Sequence, residues 1–417
     1  MLDVLRHRTY RRLFAAQVVA LVGTGLATVA LGLLAYDLAG AGASAVLGTA
    51  LAIKMVAYVT VAPLVDAVAH RIPRRTLLVG ADAVRATVAL ALPFVSQVWH
   101  VYVLILLLQT ASAAFTPTFQ AVLPDVLPDE RDYTRALSMS RLAYDLESLF
   151  SPALAAGLLS LVAYDWLFAG TTAGFLGSAA LVLSCVLPGR YGGERGTGGG
   201  LARATLGLRL FRSTLRLRAL LALDLAVAAS GAMVIVNTVL LVRHDLGRSA
   251  GAVSVALAAY GAGSMLVALL LPRVLDRVGD RAVMLPAAFA LPAVFAAYGL
   301  ATLAGPSWPA LLVAWCAFGA AGSALLTPTG RLLRRSAPPG ELPAVFAAQF
   351  SLSHACWLLT YPLAGWLATT AGAAAATWTL GALSLTAATA ATRMWPSGDP
   401  STTSARRERT VPLRTHA

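Results

Sequence analysis

Twelve apolar runs, each long enough to cross a lipid bilayer, decide most of what this chain can become. A hydrocarbon core about 30 Å thick takes roughly 20 apolar residues per helix. Runs of that kind fall at 13–37, 44–68, 76–97, 99–123, 136–162 and 166–187. After an interruption they resume at 219–242, 250–272, 282–303, 308–328, 343–368 and 371–395. Inside lipid no water is available to bond backbone N–H and C=O groups, so each run is expected to satisfy its own as a helix. The expected fold class is an all-α integral membrane protein, its twelve transmembrane helices forming two six-helix bundles. The first run is too long for a signal-peptide core and is read as a retained helix.

Composition points the same way. Of the 417 residues, 58% are hydrophobic and 12% charged, where a soluble protein carries about a quarter charged. Too few charged side chains remain to cover a water-facing surface. A net charge of +13 would suggest nucleic acid in a soluble chain, but its distribution excludes that partner here. With both termini placed in the cytoplasm, all but five of the 32 basic residues fall in cytoplasmic segments. The exceptions are Arg243 and Arg248 in outer loops, and Lys54, Arg85 and Arg141 within spans. That sorting is the positive-inside pattern of a multi-pass protein of a bacterial cytoplasmic membrane.

The chain accordingly divides into an N-terminal bundle over 1–189, a cytoplasmic linker over 190–218, a C-terminal bundle over 219–395 and a polar, disordered tail over 396–417. Within the linker, GGERGTGGG at 192–200 reads as flexible chain. It lacks the GK[ST] ending of a phosphate-cradling loop. The stretch LARATLGLRLFRSTLRLR at 201–218 alternates arginines with leucines and predicts an interfacial helix with its arginines toward headgroups. Cys185, Cys316 and Cys356 lie far apart and spell neither a metal site nor a disulfide framework.

The two halves echo one another. Thr116-Pro117-Thr118 closes the fourth span and Thr327-Pro328-Thr329 the tenth, 211 residues later. Pro152 in the fifth span has Pro362 in the eleventh, and Pro63 in the second has Pro272 in the eighth, each of this pair followed by an arginine-rich turn. Three pairs at a nearly constant offset argue for a duplicated six-helix unit, a feature of secondary transporters whose substrate site lies between the repeats.

Three stretches carry a family resemblance. Ala69-His70-Arg71-Ile72-Pro73-Arg74-Arg75 is similar to the signature A-D-R-x-x-R-R, the connection from Ala113 to Arg135 reads TPTFQAVLPDVLPDERDYTR from Thr116 onward, and Asp276-Arg277-Val278-Gly279-Asp280-Arg281 has the form D-R-x-G-x-R. Across nearly its whole length the chain resembles the major facilitator superfamily, and most of all the branch with enterobactin exporters and macrolide-efflux proteins. The resemblance implies two bundles rocking around a central cavity, with a cytoplasmic gate at Asp66, His70, Arg71, Arg74, Arg75, Asp276, Arg277 and Arg281. His70 stands where the family's gate aspartate is expected; Asp66, one helical turn earlier, is the alternative carboxylate.

Ionisable groups at membrane depth are expensive and are read as functional by default. Counting at about 1.5 Å per residue puts Lys54 in the second span, Asp145 and Glu147 in the fifth and His354 in the eleventh near one plane. Lys54 paired with Glu147 or Asp145 is expected to line the cavity, and a proton on the carboxylate would release the lysine; a static pair is the competing reading. Arg141, four residues before Asp145, is placed to neutralise it, which favours Glu147 as the proton carrier. Gln17 and Gln109 are candidate cavity contacts or interhelical bonds. His354 is read as titrating or as a hydrogen-bonded interface residue. Asp82 and Arg85 are expected to form a local pair near the cytoplasmic end of the third span, and Asp224 to be a gate or cap residue. The Gly23-Thr24-Gly25 and Gly261-Ala262-Gly263-Ser264 clusters are expected to permit close helix packing.

The function expected from these residues is proton-coupled efflux of a drug-like or siderophore-like molecule. Uptake, export of a transition-metal ion, and a non-transporting membrane sensor or scaffold are the alternatives. Neither HExxH nor a Walker A sequence is present, so the chain is not expected to be an enzyme or to use ATP directly. No cofactor and no resident metal site is expected. The expected partners are a small-molecule substrate, protons and the bilayer, with the chain a monomer.

Overall fold

A computed structural model describes residues 2–395 apart from 70–71, scattered positions between 130 and 156, 186, 188–199, 276 and 338–340. Among the described residues there is no β-strand. The first half holds α1 (Arg8–Ala39), α2 (Ala43–Ala69), α3 (Arg74–Ala91), α4 (Val98–Val126) and α6 (Asp165–Leu183). Between 132 and 159 every described residue is helical, and this segment is α5. The linker forms α7 (Gly200–Ser213). The second half holds α8 (Leu215–Val239), α9 (Ala250–Leu275), α10 (Asp280–Ala301), α11 (Trp308–Ser336), α12 (Leu342–Thr370) and α13 (Gly372–Met394). Each helix lies within a few residues of its apolar run, α11 excepted, which continues to Ser336.

The two halves repeat one packing scheme. In the first, α1 packs on α6, α3 on α4 and α6, and α2 on α4. In the second, α8 packs on α13, α10 on α11 and α13, and α9 on α11. These are the same pairings transposed by seven helices. α2 packs on α12 across the halves. α8 is buried along most of its length because it faces both its own bundle and the other.

Local departures have local causes. α3 gives way to a 3-10 turn at Leu92–Phe94, where Pro93 lacks the N–H that an α-helix would need. α8 ends in a π-helical segment, Leu240–Asp245. Pro286, Pro292, Pro328 and Pro362 sit inside helices, as neighbouring helices in a membrane allow. Only Ala371 separates α12 from α13, and the reversal relies on Gly372 at φ 89, a conformation natural to glycine.

The interfacial helix is shorter than expected. Thr214 is extended (φ −99, ψ 111) and starts α8 at Leu215, so Arg216 and Arg218 belong to a membrane helix. Starting there buries Leu217, Leu220 and Leu223, which explains the earlier break. α7 also docks on protein, since a methyl group at Gly207 would meet the Ala344 carbonyl of α12. The glycine-rich stretch 192–199 and the tail from 396 lie outside the described residues.

Candidate functional site

A cavity of about 330 Å³ lies between the halves. The first half gives it charge and hydrogen-bonding capacity: Gln17 from α1, Lys54 from α2, Arg85 from α3, Gln109 from α4 and Glu147 from α5. The second half gives a mostly apolar wall, with Val234, Ile235, Val253 and Leu257 relieved by Thr238, Tyr260 and Tyr361. The cavity is amphipathic from one side to the other.

Lys54 and Glu147 come from different helices and lie close enough to act on each other's charge. Glu147 also faces α1: a methyl group at Gly25 would collide with Ser151 and with the Glu147 carboxylate. The glycine therefore makes room for the acid. Lys54 Nζ stands 6.0 Å from the Tyr58 ring, too far for a strong cation–π contact. Asp145, the other expected partner of Lys54, and Arg141 lie outside the described residues.

His354 does not line the cavity. Its ring stacks on Tyr58 at 5.9 Å and lies tilted against Phe350 at 4.0 Å, and its Nδ1 is 2.6 Å from the Phe350 carbonyl oxygen. That carbonyl accepts only, so Nδ1 carries the proton. His354 thus joins α12 to α2 through an aromatic stack beside the cavity.

Arg85 is the residue that sequence reasoning underrated. It bonds Asp82, the expected local pair, but it does so at the cavity wall and 4% exposed. Its guanidinium lies between the rings of Phe115 (4.2 Å) and Phe175 (4.5 Å). The error was in depth. α3 begins at Arg74, so Arg85 is roughly 16 Å along it, deep enough to line the cavity that Lys54 also lines.

Polar bridges tie each half together. Ser140 donates to Gln17 at 2.9 Å, and Gln349 Nε2 donates to Asp224 at 2.8 Å. Asp224 is therefore an internal α8–α12 bond, not a helix cap. Close packing of glycines is plain at α9 and α11, where a methyl at Gly263 would fall on the Cys316 carbonyl and one at Gly319 on that of Tyr260. In α1 and α6, Gly23 and Gly174 also approach, less tightly, with a methyl at either 3.1 Å from a backbone oxygen.

Of the expected gate residues, His70, Arg71 and Asp276 lie outside the described residues, and Asp66 is described only as helical backbone in α2. Arg74 pairs with Asp125 at the end of α4, and Arg75 donates to the Leu183 carbonyl, both within the first half. Arg277 is exposed and Arg281 half-buried in α10. Asp280 was missed as a centre: 3% exposed, it accepts from Arg331 Nε at 2.6 Å and from Arg335 at 3.1 Å. At the end of the halves farthest from the chain termini, Trp366 donates to Thr49, the Ala45 N–H to Thr369 and Ser44 to the Val236 carbonyl. These bonds hold the two halves together on that side of the cavity.

The family question is decided by a sequence comparison: the Major Facilitator Superfamily model matches residues 13–241 and 220–416. The chain belongs to the Major Facilitator Superfamily. No curated protein sequence matches it. Among solved structures it is similar to the nucleoside transporter NupG, at TM-score 0.73 and 14% identity over 93% of this chain and 100% of that one. It is also similar to a D-xylose-proton symporter, at 0.70 and 14% over 93% and 98%. A bacterial homologue of the human lysosomal transporter Spinster, inward-facing and unoccupied, gives 0.67 and 14% over 94% and 99%. At such identities the likeness is one of fold. As a superfamily member the chain is a multi-pass membrane transporter of the secondary active class, not an enzyme. Among the described residues no three His, Cys, Asp or Glu side chains gather as a metal site.

Proposed function

We propose that this transporter exports a lipophilic organic molecule, drug-like or siderophore-like, across a bacterial cytoplasmic membrane in exchange for protons. The observation that carries the reading is that Lys54 and Glu147 share the polar wall of a cavity whose opposite wall is apolar. An apolar wall of this kind takes up the body of an organic molecule, and a few polar groups orient it.

Glu147 is the coupling site in this reading. While it is ionised its charge offsets that of Lys54, and the cavity wall is close to neutral there. A proton on the carboxylate cancels that offset and leaves the ammonium without its counter-charge. The two protonation states then favour different arrangements of α2 and α5, and a gradient drives the cycle only through such differential stability. The bonds at the far end support an arrangement reached from the side of the termini, which the arginine distribution assigns to the cytoplasm. Efflux rather than uptake rests on that access and on the resemblance of the helix-connecting motifs to exporters.

Everted membrane vesicles test the proposal. Proton-driven uptake of labelled siderophores and lipophilic antibiotics is expected for the unaltered protein, and loss of that uptake for Glu147→Gln. Uptake of no compound in such a panel, with the protein present in the membrane, would reject the reading.

A further inference from the structure

A second concavity, of about 850 Å³, lies on the outer surface of the second half between α7, α8, α12 and α13. Phe211, Leu225, Leu352 and Leu359 line it, and Arg212 and Arg218 are its charged groups. Leu359 is 55% exposed, so the trough opens outward to lipid. Both arginines are exposed, and among the described residues no carboxylate pairs with either.

The charged and apolar parts are separated along the membrane normal. α8 and α12 both start on the side of the chain termini, with Arg218 three residues into one and Leu359 seventeen into the other. At 1.5 Å per residue the trough therefore descends roughly 20 Å from cation to apolar end. The bilayer's apolar core is about 30 Å thick, so this depth suits one leaflet. Two guanidiniums at headgroup level, each able to bind a phosphate in bidentate fashion, stand above a channel of leucine and phenylalanine.

We propose that this trough is a site for one anionic phospholipid, its phosphate held by Arg212 and Arg218 and an acyl chain laid along Leu225, Leu352 and Leu359. Charge complementarity selects that occupant. The polar tail after Trp395 carries four arginines against two acids and is repelled by the same two guanidiniums. A bound lipid would fasten the linker helix α7 to the second bundle, since Phe211 and Arg212 come from α7 and the remaining wall from the bundle.

Native mass spectrometry of the full-length protein, presented with phosphatidylglycerol and phosphatidylcholine of matched acyl chains, tests the site. Attraction of about five-fold per arginine predicts roughly 25-fold preferential retention of one phosphatidylglycerol. Arg212→Gln/Arg218→Gln abolishes the preference, whereas Arg212→Lys/Arg218→Lys keeps most of it. A benzophenone on Ala355→Cys, at the trough wall, reports the occupant by cross-linking to phosphatidylglycerol. Equal retention of the two lipids, an unchanged preference in the glutamine variant, or cross-links to peptides of 396–417 or to a second copy of the chain would each overturn the assignment.

Discussion

Gln17 and Asp224 hold the same place in the two halves: each lies nine residues past the start of its helix, Arg8 in α1 and Leu215 in α8. Each also reaches the helix four elements on, Gln17 meeting Ser140 of α5 and Asp224 meeting Gln349 of α12. Duplication kept the bridge and changed its chemistry. In the second half Gln349 Oε1 remains buried without a hydrogen-bond partner. An amide at position 224 can accept from Nε2 and donate to that oxygen. Asp224→Asn is expected to leave the thermal unfolding midpoint unchanged or raised, while Asp224→Leu strands the Gln349 amide at a cost of about 1–3 kcal/mol. Equal loss in the two variants would show that the charge, not the bond, matters.

A second symmetric pair has reversed polarity. Arg74 begins α3 and pairs with Asp125, 51 residues later; Asp280 begins α10 and pairs with Arg331, also 51 residues later. The halves are not energetically equal. Asp125 is 40% exposed, but Asp280 is 3% exposed, takes two arginines and sits at a helix N-terminus, where the dipole favours an anion. Arg74→Ala is expected to cost less than about 1 kcal/mol, and Asp280→Ala about 2 kcal/mol or more because it leaves Arg331 half-buried without its carboxylate, holding only the Leu275 carbonyl. Thermal unfolding in detergent compares the two.

Burial makes the Asp82–Arg85 pair costly to break. Asp82 has no exposed surface and Arg85 has 4%. Arg85→Met leaves an uncompensated buried carboxylate and is expected to destabilise by about 3–5 kcal/mol, whereas Asp82→Leu/Arg85→Met recovers most of that loss. A double variant as unstable as the single one would mean that the stacking of Arg85 between Phe115 and Phe175 carries the stability.

Helix packing at α9 and α11 depends on absent side chains. Gly263→Ala or Gly319→Ala puts a methyl onto a backbone carbonyl that cannot swing away and is expected to cost about 1–3 kcal/mol. Gly80→Ala in α3, with nothing within 4 Å of the new methyl, is the control and is expected to cost nothing. Unfolding midpoints in one detergent separate them.

Much of this was legible in the sequence because lipid restricts the choices. Spans and fold class follow from counting apolar residues at a fixed rise. Two kinds of information were not there. Depth fixes height but not azimuth, so counting leaves His354 open between a titrating group and a hydrogen-bonded interface residue; its ring turns to Tyr58 of α2. Counting also missed Arg85, where nearness in sequence to Asp82 hid its position at the cavity wall. Partner choice is likewise tertiary: only the repeated separation of 51 residues, at the starts of α3 and α10, could have pointed to Asp280 and Arg331. The end of α7 at Thr214 depended on how the start of α8 packs, which no run of leucines records.

In the proposed cycle Glu147, in the same cavity wall as Lys54, couples transport to protons. The most direct measurement compares two assays in proteoliposomes that hold one transported compound on both sides. Uphill accumulation driven by a pH gradient requires the proton step; exchange of labelled for unlabelled compound at equal pH does not. For Glu147→Gln the account predicts that gradient-driven accumulation is lost while exchange persists and no longer varies with pH. Accumulation at the level of the unaltered protein would contradict it.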